Sequence, residues 1–378
     1  MNSIIFAINI KIDMFDDFLN PFQSNEHYSN LQIGHYIYKD IDQVKANSIV
    51  LISCPQIVNE NEKFTSQNFL IKEEFYKFSA GNWQLPIFDL GEILPGSSAQ
   101  DTAFALQSII KFCLERKAFP IVLGGSMELL YYLYRSFSKD KALNVVTIDS
   151  EIQLEIYEGD LTEENYIFRI INEEPNQLFN FSNLGYQSYL TSYKIHDTLQ
   201  ALDFEAHRLG DLIVDLKEAE PVIRVADLVG LNLNSIQTSN SNFNTKPNPN
   251  GFSNREICTL ARYIGVSNQM KASLIANFLD SKNDALLVAQ IIWYIIEGLN
   301  TKNSYQESSD NYINYNVLIS DSEIVFVKDK LIDKWWIKLN LEKNETYSKL
   351  IPCSYNDYLN AVSGEMPERY LIALRKFL

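Results

Sequence analysis

Phe119-Pro120-Ile121-Val122-Leu123-Gly124-Gly125-Ser126-Met127-Glu128 and Asn144-Val145-Val146-Thr147-Ile148-Asp149-Ser150-Glu151-Ile152-Gln153 decide how this chain folds. Each opens with a short β-branched, apolar run that reads as a strand buried on both faces, and each run stops at turn-forming or acidic residues. Between the two runs, Glu128–Phe137 carries helical spacing. A crossover helix returns the chain to the same end of the sheet, so the two strands are expected to lie parallel.

The same alternation extends in both directions. Upstream, Ser48–Ser53 and Ile87–Leu90 read as strands, with helices over Phe64–Ser79 and Thr102–Arg116. Downstream come a strand at Leu178–Phe181, a helix near Phe204–Leu216, a strand at Leu228–Leu233, a helix over Asn254–Tyr263, a strand at Ser273–Phe278 and a helix over Ala285–Leu299. A mostly parallel α/β sheet follows, in a domain spanning residues 1–300. From about residue 301 the pattern changes. Tyr315–Ile319 and Glu323–Val327 flank Ser320-Asp321-Ser322 as a hairpin, and a helix is expected over Glu368–Phe377. Residues 301–378 therefore read as a small α+β extension packed on the first domain. The Asn/Ser/Pro-rich stretch Asn234–Gly251 is the one long loop, a usual place for function.

Composition bounds the possibilities. The 378 residues are 46% hydrophobic, with 22 Phe and 21 Tyr, enough for a large core and too apolar for a disordered chain. Lys and Arg number 32 against 48 Asp and Glu, a net charge of −16. That is the wrong sign for a broad nucleic-acid or membrane-binding face, and no local basic patch shows in the sequence. Met1–Ile10, alternating through Ile12, reads as a strand rather than a leader peptide. Leu286–Ile296 is interrupted by Gln290 and falls short of the ~20 residues of a membrane span, so a buried helix is expected. Cys54, Cys113, Cys258 and Cys353 lie too far apart for a zinc motif or a disulfide framework. Reduced thiols and a cytoplasmic location are the expectation.

In open parallel sheets, ligands bind beyond the carboxyl ends of the strands. Those ends carry Asp149, Glu151 and Gln153 after one strand, and Asn232 and Asn234 on another. Alternate residues of an extended segment point to one side, so these oxygen-bearing side chains are expected to converge as they do around a metal.

The order of these segments resembles the arginase/agmatinase/formimidoylglutamase (ureohydrolase) family. Asp89-Leu90-Gly91, Leu123-Gly124-Gly125, the Pro247–Gly251 loop and the terminal strand and helix Ser273–Gly298 support it. The likeness runs from about Ile49 to Leu299. The later part, with Asn176–Phe181, Trp335-Trp336 and Pro352–Tyr358, resembles the extension of a bacterial arginase-like subgroup. The resemblance implies a three-layer α/β/α fold, a pair of manganese ions, hydrolysis of a C–N bond in a linear amidine, and a homo-oligomer, trimer or hexamer.

At the metal motifs, the chain departs from that family. Met127 stands where the first histidine belongs. Asp149 is kept, but Glu151 replaces a histidine, Gln153 an aspartate, and Asn232 and Asn234 both later aspartates. Asn277 stands for the substrate-anchoring glutamate, and a further expected histidine falls at or near Glu164. None of His27, His35, His196 and His207 occupies a motif position. Two divalent ions need more compensating charge than Asp149 and Glu151 supply, and a thioether is a poor ligand for manganese. Without a metal pair nothing lowers the pKa of water from ~16 toward ~7. No catalytic residue, metal or other cofactor is therefore expected, and a binding or structural role, with a possible protein partner, is.

Alternatives stay open. Asp149 and Glu151, with Gln153, Asn232 and Asn234, could form an all-oxygen site for a single Mg²⁺ or Ca²⁺ and support a remodelled hydrolase; the competing expectation is that acids and amides hydrogen-bond one another. A small-molecule sensor is the third reading. Ser126 after Gly124-Gly125 is similar to a nucleophile elbow, but Glu128 replaces the final glycine and no histidine base is placed, so a tight turn is expected. The acidic stretch Glu151–Glu164 reads as a solvated face rather than a dock for a basic partner. Trp335, Trp336, Tyr355 and Tyr358 read as packing rather than an interaction patch.

Overall fold

Strand residues of alternate parity feed two separate hydrophobic cores, and this alternation builds the molecule in layers. The computed structural model describes residues 15, 17–54, 69–156, 159–238, 246–278, 281–302, 308–340 and 348–377. The N-terminal segment Met1–Ile12, read as a strand, and residues 64–68 of the first expected helix lie outside the described residues.

In chain order the elements begin with the two-residue strands β1 (Leu19–Asn20) and β2 (Ile37–Tyr38), then β3 (Ile49–Ser53), α1 (Phe69–Lys77), β4 (Ile87–Ile93), α2 (Ala99–Glu115), β5 (Phe119–Leu123) and α3 (Leu129–Arg135). They continue with β6 (Leu143–Ile148), α4 (Tyr166–Ile171), β7 (Leu178–Tyr186), α5 (Tyr193–Ala201), β8 (Glu205–Arg208), α6 (Leu209–Val214) and α7 (Ala219–Arg224). Next come β9 (Leu228–Asn232), α8 (Asn254–Val266), β10 (Ala272–Ala276) and α9 (Lys282–Lys302). The last are β11 (Tyr312–Ile319), β12 (Ser322–Asp329), β13 (Trp335–Asn340), β14 (Ser348–Cys353), α10 (Tyr355–Val362) and α11 (Glu368–Phe377).

The main sheet runs β1-β4-β3-β5-β10-β9-β6-β7-β8, with β2 also on β4. Its pairings are parallel except for β1 with β4. Ile49, Leu51, Ile121, Leu123 and Leu231 face a core built with α1 and α6 to α9. Val50, Ile52, Val122, Val145 and Leu274 face the opposite core, built with α2 to α5. The sheet is thus covered on both faces, the three-layer arrangement expected. The Leu286–Ile296 run lies within α9 with Ile291, Ile292, Ile295 and Ile296 buried, and no helix among the described residues is long and apolar enough to cross a membrane. All four cysteines are buried free thiols.

One element differs from expectation. The helix read near Phe204–Leu216 is the edge strand β8 followed by the short α6. β7 offers a free edge, and β8 pairs with it in parallel from Ser182 opposite Glu205. Glu205 takes part through hydrogen bonds from Asn180 and Ser182, a polar pairing that no apolar alternation announces.

The second sheet, β11-β12-β13-β14, is antiparallel throughout. Its hairpin turns at Ser320, in the left-handed region at φ 53°. Trp335 lies stacked on Tyr358 at 5.0 Å and meets Tyr315 at 5.3 Å in the extension's own small core, while the exposed Tyr355 lies against Trp335 at 5.3 Å from outside. Arg224 at the end of α7 ties the sheets together. Its guanidinium donates to the carbonyls of Trp335 (3.0 Å) and Cys353 (3.4 Å), lies 4.8 Å from the Trp336 ring, and pairs with Glu220 at 2.7 Å.

Helices α8 and α9 cross with their backbones in contact. A Cβ at Gly265 would lie 2.2 Å from the Ile295 carbonyl oxygen and 2.8 Å from the Gly298 Cα. Backbone cannot yield as a side-chain tip can, so Gly265→Ala is expected to lower stability by about 1–3 kcal/mol. Urea unfolding measures this; an unchanged midpoint would show that the crossing is looser than described.

Candidate functional site

The register of β6, β9 and β10 sets the site. Ile148 pairs with Leu231, and Asn232 with Ala276, so Asp149, Asn232 and Asn277 emerge side by side at the carboxyl ends of three adjacent strands. Gly124 and Gly125, at φ 101° and 65°, turn the neighbouring chain away from β5. The Gly125 carbonyl then receives the Asn277 N–H at 3.0 Å, and Asn277 itself adopts φ 61°.

Asp149 is 1% exposed. Its Oδ1 accepts the Glu151 backbone N–H at 3.2 Å and its Oδ2 accepts the Asn232 side-chain amide at 2.7 Å. The orientation of Asn232 is not a free choice. Its Oδ1 accepts the backbone N–H of Asn234 at 2.9 Å, a donor that cannot be reversed, so its NH₂ must face Asp149. Asn277 donates to the same Asn232 Oδ1 at 3.0 Å and also to the carboxylate of Glu163.

The remaining sequence candidates separate from this group. Glu151 receives the Gln153 amide at 3.1 Å, a pair beside the network. Asn234 faces the long loop: its Oδ1 accepts the Lys246 N–H at 3.0 Å and its carbonyl accepts the Asn248 amide at 2.8 Å, which fixes the loop's return. Residues 239–245 of that loop lie outside the described residues. Met127 is fully buried in the core on the α2–α5 side of the sheet, its methyl group against Gly230 where a Cβ would come within 2.8 Å. Of the histidines, His207 sits on β8 at the sheet's edge, where burial pushes its pKa down to about 4.

Two acidic residues that the sequence did not mark as site residues join the crevice. Glu163, read as part of a solvated acidic face, turns inward to Asn277, and burial raises its pKa. Glu128, 8% exposed, accepts the Ser126 hydroxyl on Oε1, while its buried Oε2 and the buried Tyr166 hydroxyl have no hydrogen-bond partner among the described residues. Burial raises the pKa of Glu128 to about 7, with the charges of Glu163 and Glu164 adding to it. Asp149 is likewise raised to about 7 by burial and by Glu163 and Glu151, against the opposing Asn232 and Glu151 hydrogen bonds. Burial thus favours the neutral carboxyl in the crevice, and amides supply the donors. Among the described residues, no three His, Cys, Asp or Glu side chains group as metal ligands do.

Solved structures share this frame of strands. A formimidoylglutamase from Bacillus subtilis matches with a TM-score of 0.62 at 15% identity, over 76% of this chain and 98% of that one. The chain has the ureohydrolase fold. A Trypanosoma cruzi formiminoglutamase with manganese matches at 0.59 and 14% identity, over 68% of this chain and 94% of that one. An agmatine ureohydrolase of Thermoplasma volcanium matches at 0.58 and 15%, over 74% and 96%. At such identities the likeness speaks for the fold alone. No protein-family model and no curated protein matches the sequence.

Two substitutions test the geometry. Glu128 binds a proton in the folded state up to about pH 7, whereas its ordinary value is 4.5. Its contribution therefore falls as pH rises through that window and stays unfavourable above it. Glu128→Gln is expected to raise the unfolding midpoint at pH 8 and leave it nearly unchanged at pH 4; equal effects at both would mean that no proton is involved. Asn232→Asp removes the donor to Asp149 and sets a second carboxylate beside it, at a cost on the order of 3 kcal/mol at pH 8. The cost should shrink at pH 5, where Asp149 is protonated, as chemical denaturation at the two pH values would reveal.

Proposed function

We propose that this protein is a catalytically degenerate ureohydrolase-fold protein whose crevice serves a binding or structural role rather than hydrolysis. The observation that carries the proposal is the pinned orientation of Asn232, which presents N–H, and not oxygen, to Asp149. The donor set does not fit a manganese pair: Met127 is turned into the core, Asn234 is committed to the loop, and the Asn232 amide N–H already faces Asp149 Oδ2. In metal hydrolases the metal pair supplies an activated water. Among the described residues, none of the four histidines joins the network of Asp149, Asn232 and Asn277, so no imidazole base stands there.

A small-molecule sensor is the second reading, favoured by Glu128 Oε2 and the Tyr166 hydroxyl, which have no partner among the described residues. Buried polar atoms without partners are costly, and a ligand offering a donor to the one and an acceptor to the other would satisfy both. Self-assembly into a trimer or hexamer, carried by the family resemblance, belongs to the same proposal.

Purified protein incubated with manganese is expected to release neither urea nor formamide from arginine, agmatine or formimidoylglutamate, and elemental analysis should find less than one divalent ion per chain. Robust turnover of any of the three, abolished by Asp149→Ala, would refute the proposal. Stabilisation by an amino-acid derivative in a thermal-shift screen, lost in Glu128→Gln, would select the sensor reading.

A further inference from the structure

At the opposite end of the same strands, a cavity of about 840 Å³ opens beneath the starts of β3, β5 and β10. Its size is that of ordinary small-molecule sites. Its floor is apolar, with Ile49, Phe119, Phe137, Met270 and Leu299. Its rim is basic: Lys111 and Lys117 come from the end of α2 and the following turn, Lys139 and Lys141 from the loop after α3, and Lys302 from the end of α9. Glu115 is the only carboxylate among the lining residues. In a chain of net charge −16, this is a local reversal of sign.

The positive charge is not used up inside the protein. Arg135 and Lys271, which also line the cavity, are paired with Glu173 (3.1 Å) and Asp227. Asp140, next to the rim, accepts the Ser138 hydroxyl. Lys111, Lys117 and Lys139 form no ion pair with another described residue, and Lys141 is offset in part by the neighbouring Asp140. Among the described residues, Lys302 has only the neutral Ser267 carbonyl at 3.1 Å, and its pKa is lowered by burial and by Lys334. Three helices, α2, α3 and α9, end here, and each C-terminus offsets about half a unit charge, less than the lysines bring.

The backbone at the rim is held in an unusual shape. Lys117 sits at φ 57° and Asn47, which lines the cavity beside it, at φ 66°. The Asn47 N–H donates to the Lys117 carbonyl at 3.0 Å, locking the two together. Non-glycine residues in this region persist where the surrounding structure fixes them.

We propose that this cavity binds a small molecule carrying at least two negative charges as phosphates, with its uncharged part against the apolar floor. The lysines are mobile point charges suited to phosphate oxygens, and Phe119 and Phe137 offer a surface for a ring such as a nucleobase. The site is independent of the crevice and of the function proposed for it.

Titration calorimetry at physiological ionic strength with inorganic tripolyphosphate and with ATP tests this. Saturable one-to-one binding is expected, tighter for ATP than for tripolyphosphate if the floor takes the base. Lys117→Glu/Lys139→Glu should weaken it roughly tenfold or more, with the charge-neutralising Lys111→Gln/Lys139→Gln as a milder second variant. The surface control Lys330→Glu should bind as the parent does. Absence of saturable binding up to millimolar ligand, or equal weakening in Lys330→Glu, would overturn the proposal. So would binding of RNA or anionic vesicles that tripolyphosphate does not displace.

Discussion

Everything at the crevice depends on the parallel register of β6, β9 and β10, which brings three polar side chains to one buried point. A buried carboxylate must find a cation or a hydrogen-bond donor, or give up its charge. Here Asp149 receives the Asn232 amide and also has its pKa raised, a solution that combines the last two. The Asn234 N–H is the ultimate constraint, because it decides which end of the Asn232 amide faces Asp149. A protein with aspartates at these positions would instead need an ion to hold the group together.

A comparable economy joins the two sheets. Arg224 satisfies backbone carbonyls of β13 and the end of β14 while its charge is balanced on its own helix by Glu220. Arg369 adds ion pairs to Asp357 at 3.1 Å and to Glu218 at 3.3 Å. The junction is therefore held by charged groups that are each paired, which limits the cost of removing them from water.

The central strands were legible because each is a short β-branched run buried on both faces, and the crossover helices between them fixed parallel pairing. β8 was not, since Glu205-Ala206-His207-Arg208 has no apolar alternation and owes its conformation to the free edge of β7. Asp149 and Asn232 were identifiable from their places at strand ends, and Asn277 only through the family resemblance. Glu163 was hidden among neighbouring acids, and only the fold distinguishes the one that turns inward. Asn234 was misleading for a local reason: the short turn after β9 sends its side chain to the loop instead of alongside Asn232. The basic cavity could not be read at all, because its lysines are scattered from Lys111 to Lys302 and meet only when three helix ends gather under the sheet.

The glycine crossing of α8 and α9 also bears on motion. Where two backbones touch at Gly265 and Gly298, there is no layer of side chains to act as a lubricant, and the helices cannot slide past one another. They pack against the sheet as one closely joined pair. The crevice thus stands on a sheet backed by a close-packed helix pair, and Asn277 and Asn234 are joined from above by hydrogen bonds from Asn277 to Glu163 and from Lys246 to Asn234.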